Sequence, residues 1–206
     1  VLDTMGDVLR IEKRYPEAVS YYSRALEKIG SETPEKFWPT YFLRGIANDQ
    51  AGNWSQAKED LEKALIFKPG HPQILNYLGY SLIERQENLP KALSMIQEAV
   101  KQEPNSGYII DSLAWCLYRL GRYDEALLAM EKAIKLEPFD PIVNDHLGDV
   151  YWMVGRKREA RFQWKRSLIF DPSPKDKGRI SCCLYWKPTS RIETLRLCKR
   201  RRPRWD

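Results

Sequence analysis

The sequence predicts an all-α chain built as a solenoid of antiparallel helix pairs, in which stacked copies of one unit take the place of a single central core. Three observations lead there. A small residue followed twelve or thirteen positions later by alanine recurs five times: Gly6 and Ala18, Gly45 and Ala57, Gly79 and Ala92, Ala114 and Ala126, Gly148 and Ala160. The alanines of these pairs lie 39, 35, 34 and 34 residues apart. A second alanine follows seven residues on, at Ala25, Ala64, Ala99 and Ala133 with Ser167 in the fifth copy; Pro69, Pro104, Pro138 and Pro172 then close four copies, and Gly30 holds that place in the first.

Each element follows from that register. Glycine or alanine at a crossing point lets two antiparallel helices approach closely, and the alanines of the second helix do the same for the next pair. Bulky residues fall four positions after the first alanine, at Tyr22, Leu61, Ile96, Met130 and Trp164, and leucine precedes the small residue at Leu78, Leu113 and Leu147. The first copy predicts helices over 1–13 and 16–29, the second over 36–51 and 54–67, with Gly52 in the turn between them. The third gives 72–86 and 89–102, the fourth 107–120 and 123–136 around Gly121. The fifth gives 141–154 and 157–170 around Gly155, opened by Asp140-Pro141, an N-cap residue before a proline at the first helical position. Ser173-Pro174 repeats that signal and starts a last helix to about 186, on which Ile180, Cys183 and Leu184 are spaced to cover the apolar face of the terminal copy. The organisation expected is five repeats over 1–172, a capping helix over 173–187 and a basic tail over 188–206, read as disordered or foreign to the natural protein.

This pattern resembles the tetratricopeptide repeat, a 34-residue helix–turn–helix with the signature W-x2-L-G-x2-Y, A-x3-F, A, P. "GRYDEALLAMEKAIKLEP" at 121–138 could stand as its second half. Departures are the missing signature tryptophan, Arg44 in place of leucine in the second copy, one residue inserted before Ala92 and about five extra residues between the first two copies. The resemblance implies a right-handed superhelix, a non-catalytic role and a concave groove formed by the first helices, at positions three before and one, four and five after the small residue.

Those positions are Asp3, Asp7, Arg10 and Ile11; Phe42, Ile46, Asp49 and Gln50; Asn76, Tyr80, Ile83 and Glu84; Asp111, Trp115, Tyr118 and Arg119; Asp145, Asp149, Trp152 and Met153. They hold seven carboxylates, two arginines and five aromatic rings. An acidic, aromatic groove is expected, suited to anchoring a peptide or helix that carries Lys or Arg. A clamp for a terminal carboxylate needs lysine and asparagine there, and Asn76 is the only match. The stretch 107–160 is also similar, more loosely, to bacterial adaptor arrays, some of them envelope lipoproteins, which implies an envelope protease or assembly complex as partner.

Other chemistry finds no carrier. No run approaches the roughly 18 to 20 apolar residues of a membrane span, and the chain begins on Val1 within a helical pattern, read as the interior of a longer protein whose compartment stays open. His71 and His146 fall in different copies, and the equivalents of His146 are Thr4, Leu43, Tyr77 and Ser112, so no shared metal or acid–base site, and no cofactor, is expected. Cys116 aligns with Val8, Ala47, Ser81 and Val150 and reads as a packing position, whereas Cys182, Cys183 and Cys198 lie near the C-terminus without metal or disulfide spacing. Residues 1–179 carry 26 Lys+Arg and 26 Asp+Glu; the net charge of +6 belongs to residues 180–206. The alternative function is therefore nucleic-acid or anionic-surface binding through "CKRRRPRW", and a fold-back of that tail into the acidic groove is allowed by charge.

Overall fold

The structure, a computed structural model, describes residues 1–28 and 34–185. The tail at 188–206 lies outside the described residues. Every described element is helical, and the chain divides into two compact units, Val1–Leu82 and the residues from Ile83 onward.

The first unit contains α1 (Leu2–Ile11), α2 (Tyr15–Glu27), a 3-10 turn (Pro34–Phe37), α3 (Trp38–Gln50) and α4 (Trp54–Phe67), and most of α5 (Pro72–Arg85), which runs past its boundary. Helix α1 packs on α2, α2 on α3 and α3 on α4, and the successive first helices α1 and α3 also touch. The second unit contains α6 (Leu89–Gln102), α7 (Gly107–Arg119), α8 (Tyr123–Leu136), α9 (Pro141–Met153), α10 (Lys157–Ile169) and α11 (Pro174–Tyr185). Each helix from α6 to α11 packs on the next, and α7 meets α9.

The small residues account for this packing. Ala18, Ala57, Ala92, Ala126 and Ala160 are all fully buried. The glycine of the first helix sits against the bulky residue of the second: a Cβ built on Gly6 would lie 2.6 Å from Tyr22, on Gly45 2.9 Å from Leu61, and on Gly148 2.4 Å from Trp164. Only a residue without a side chain fits those approaches.

Turns within the pairs are equally regular. Arg14, Asn53, Arg122 and Arg156 donate their backbone N–H five residues back, to the carbonyls of Leu9, Asn48, Leu117 and Tyr151, at 2.8–2.9 Å. The residue before each donor is left-handed: Lys13, Gly52, Gly121 and Gly155. This closure ends α1 at Ile11, two residues before the end expected from sequence, with Lys13 at φ 61°. The residue inserted before Ala92 alters the third turn, where Gln86 and Asn88 are both left-handed and the Asn88 side chain caps α6 by accepting from the Lys91 N–H.

Arg44, the departure from leucine, reaches Asp60 with two hydrogen bonds of 2.7 and 2.8 Å and donates to Ser23 Oγ at 3.0 Å. Asp60 is 3% exposed and also accepts from Asn48. At the end of the second unit, Asp140 caps α9 through the N–H groups of Ile142 and Val143, and Ser173 caps α11 through the N–H of Asp176. Ile180 and Cys183 of α11 are buried in the same core as Ala160 and Trp164, with Leu184 packed at its edge.

Candidate functional site

The seven carboxylates expected on the first helices are the place to begin, because each is held by a side chain of its own unit. In the first unit Asp3 accepts from Thr40 Oγ1 at 3.0 Å, Asp7 from the Tyr22 hydroxyl at 2.7 Å, and Asp49 from the Tyr77 and Ser81 hydroxyls at 3.0 and 3.2 Å. In the second, Glu84 accepts from Trp115 Nε1 at 2.8 Å and faces Arg119 at 3.5 Å. Asp111 meets His146 Nδ1 through both oxygens at 3.0 Å. Asp149 accepts from Trp164 Nε1 at 3.1 Å and pairs with Arg179 at 3.3 Å, and Asp145 also pairs with Arg179.

Two rules of the repeat organise these bonds. The acid directly after the glycine takes the polar tip of the buried aromatic four residues after the first alanine, as in Asp7 with Tyr22 and Asp149 with Trp164. The remaining five acids take a side chain from a following helix: Asp3 from α3, Asp49 from α5, Glu84 from α7, Asp111 from α9, and Asp145 from α11. The acidic strip therefore stitches consecutive copies together. A buried carboxylate without such a partner would be costly.

Exposure divides the candidates. Asp111, Trp115 and Asp145 are buried, at 5, 2 and 5% exposure, so these three lie within the packing of the second unit. Tyr118, Arg119, Asp149 and Trp152 are partly exposed there, and Glu84 is exposed. In the first unit Asp7, Phe42, Ile46, Asp49, Asn76 and Tyr80 are all partly exposed, and Phe42 meets Tyr77 edge to face at 6.1 Å. Of the flanking positions, Ile11 and Gln50 are exposed, Asp3 and Arg10 partly so, and Ile83 and Met153 buried.

The aromatic side chains of the second unit form a connected group. Trp115 stacks on His146 at 4.0 Å and on Tyr118 at 4.8 Å, with interplanar angles of 9° and 6°. Tyr118 meets Tyr123 edge to face, Trp152 packs against Trp164 at 5.5 Å, and the Lys157 ammonium lies 5.2 Å from the Trp152 ring. Trp115 is thus an internal plate, and Tyr118 and Trp152 are the first-helix rings of this group that stay partly exposed, as does Tyr123 on α8.

Sequence comparison missed His146 and Arg179. His146 had no partner by symmetry among its equivalents, yet it is 6% exposed and central to the cluster. Burial alone would lower its pKa, but the Asp111 carboxylate, assisted by Asp149 and Glu84, outweighs that and raises it. Continuing the 34-residue register past the fifth copy would have found Arg179, which falls one period after Asp145. Helix α11 occupies the place of a sixth first helix. The Cys116 thiol, fully buried, is pushed up to about 11 by that burial, as befits an inert packing residue. Among the described residues no cluster of His, Cys, Asp and Glu could hold a metal ion, and no helix is long and apolar enough to cross a membrane.

Comparison with known proteins agrees with this geometry. Family models described as tetratricopeptide repeat match residues 42–107 and 108–140. The TPR repeat-containing protein PA4667 of Pseudomonas aeruginosa is 31% identical over 85 residues, 41% of this chain and 14% of that protein. A lipoprotein NlpI homolog of Haemophilus influenzae is 30% identical over 96 residues, 46% of this chain and 30% of that protein. The chain thus spans under a third of the length of either relative. Among solved structures, the thermophilic TPR protein TTC0263 of Thermus thermophilus superposes with a TM-score of 0.72 at 21% identity, covering 90% of this chain and 98% of that one. YrrB, described as a TPR protein with an unusual peptide-binding site, gives 0.61 at 20% identity over 87% and 90% of the two chains. The matched models show tetratricopeptide repeats over residues 42–140, and the in-phase copies of the sequence continue the same pattern on either side.

Proposed function

We propose that the chain is a non-catalytic scaffold whose first helices receive a segment of a partner protein, with Tyr118 and Trp152 as anchors in the second unit. Tetratricopeptide-repeat relatives and fold neighbours support a protein–protein interaction scaffold as the general role. The observation that carries the finer reading is that both rings stay partly exposed while the polar groups beneath them are tied down by the protein's own side chains. A rigid ring on a fixed support loses little freedom on binding, which is what a hot spot requires.

The preferred partner segment carries Arg or Lys beside an apolar or aromatic residue. Arg179 supplies the internal example: Asp145 and Asp149 hold its guanidinium, and Asp149 also accepts from the Trp164 indole, which packs against Trp152. Partly exposed Phe42, Ile46, Asn76 and Tyr80 offer a comparable surface in the first unit. The likeness to a lipoprotein, with the looser resemblance of 107–160 to envelope adaptor arrays, supports an envelope protease or assembly complex as the source of the partner.

The test is capture of partner proteins by the full chain and by its Tyr118→Ala/Trp152→Ala variant, with the helical content of both checked by circular dichroism. Loss of the captured partners from a folded variant supports the anchors. Equal recovery from both removes them.

A further inference from the structure

The solvent face of α10 differs from that of every other second helix. At two before and one, two, five and nine after the first alanine, the fifth copy carries Arg158, Arg161, Phe162, Lys165 and Ile169, all exposed. At the three of these places where copy five has cations, the other four copies provide a single one, Lys58, among twelve residues. Phe162 and Ile169 are 58 and 75% exposed, one on each side of Lys165. Among the described residues Arg161 and Lys165 form no ion pair, and Arg158 acts on Glu159 only through space, the direct bond to that carboxylate coming from Arg156. Helix α10 holds five cations against Glu159, which Arg156 already engages, although the chain up to residue 179 is neutral in sum.

The apolar part of this face extends beyond the helix. The Arg166 guanidinium lies over the rings of Phe162 and Phe170 at 6.0 and 5.6 Å, and Phe170 meets Phe139 edge to face at 5.6 Å. Phe139 is itself 72% exposed. Ile66 and Leu128 hold corresponding places on α4 and α8 at 71 and 72% exposure, so what sets α10 apart is the combination of two such tips with the cations around them.

We propose that this face docks on the anionic surface of a lipid bilayer, with Phe162 and Ile169 entering the acyl boundary and Arg158, Arg161 and Lys165 lying among the headgroup phosphates. Charge complementarity selects an anionic occupant. A row of side chains on the outside of one helix favours a membrane over an acidic protein segment: exposed ion pairs to a peptide contribute little each, whereas a membrane attracts every cation near it and accepts apolar tips without a complementary shape.

The test uses the full chain with Lys199, Arg200, Arg201, Arg202 and Arg204 changed to Gln, so that the terminal cations cannot act for α10. Sedimentation with vesicles of phosphatidylcholine is compared with vesicles that also contain phosphatidylglycerol. Binding to the anionic vesicles alone is expected, weakened about a hundredfold by Arg158→Gln/Arg161→Gln/Lys165→Gln and about tenfold or more by Phe162→Ser/Ile169→Ser. Circular dichroism confirms that each variant is folded. Absence of vesicle binding, equal binding by the triple variant, or equal binding to both vesicle types overturns the proposal. Binding to polyglutamate without binding to vesicles overturns it in favour of an acidic protein partner.

Discussion

Replacing Gly148 by Ala tests the helix crossing that the repeat register rests on. The new methyl would stand 2.4 Å from Trp164 Cδ1 and Nε1, far inside van der Waals contact. Trp164 cannot yield cheaply: it is 3% exposed, packs against Trp152, and donates Nε1–H to Asp149 at 3.1 Å. Overpacking of this kind costs about 1–3 kcal/mol, and displacing the indole from a charged acceptor adds about 1.5–3 kcal/mol. Alanine's better helix propensity returns about 1 kcal/mol, leaving a net destabilisation of about 1.5–5 kcal/mol. Gly178→Ala is the matched control, since nothing lies within 4 Å of its Cβ position on α11. There only the propensity gain acts, and stability rises by about 0.5–1 kcal/mol. Thermal unfolding followed by circular dichroism reads both as shifts of opposite sign, at about 2–4 °C per kcal/mol for a chain of this size. A Gly148→Ala protein as stable as its parent would refute the tight crossing.

Arg179→Met leaves Asp145 buried without its cation and deprives Asp149 of one of its partners, so we expect a loss of about 2–4 kcal/mol, read as faster amide exchange across α11 and the end of α9. Arg44→Leu restores the residue common at that repeat position but strands the buried Asp60, so it destabilises. Adding Asp60→Leu should recover most of the loss in urea denaturation. The pH dependence follows from His146. Its folded pKa is raised, so its contribution is fully present below its unfolded value of about 6.5 and is lost as pH rises through the folded value. Thermal unfolding above and below neutrality should show that decline in the parent, and His146→Gln should flatten it. A parent whose stability rises over that range would reverse the assignment.

Much of the fold is legible in the sequence because its signal is steric. A glycine that must clear Tyr22 or Trp164, and an alanine with no exposed surface, cannot be exchanged freely, so Gly6, Gly148 and the alanines of the second helices declare the period themselves. Repeat register also locates the first-helix positions. Which of them face solvent is not legible in the same way, since exposure depends on the side chain that the next copy brings over them. Trp115 reads as a surface anchor until His146, from the following copy, stacks on it, and Asp145 reads as a free carboxylate until Arg179 arrives from a segment taken for a simple cap. Asn88 and Gln86 illustrate the other limit: one inserted residue is visible in the alignment, but the pair of left-handed residues that absorbs it is not.

The central claim is that partly exposed aromatic side chains of the first helices, set beside carboxylates bonded to the chain's own side chains, anchor a partner segment. Its most direct measurement is quantitative partner capture by the parent and by Tyr118→Ala/Trp152→Ala at matched helical content. The account predicts that partners held by the parent are lost from the variant, while recovery is unchanged for Leu128→Ala on α8, where Leu128 is 72% exposed. Undiminished capture by the double variant would contradict it.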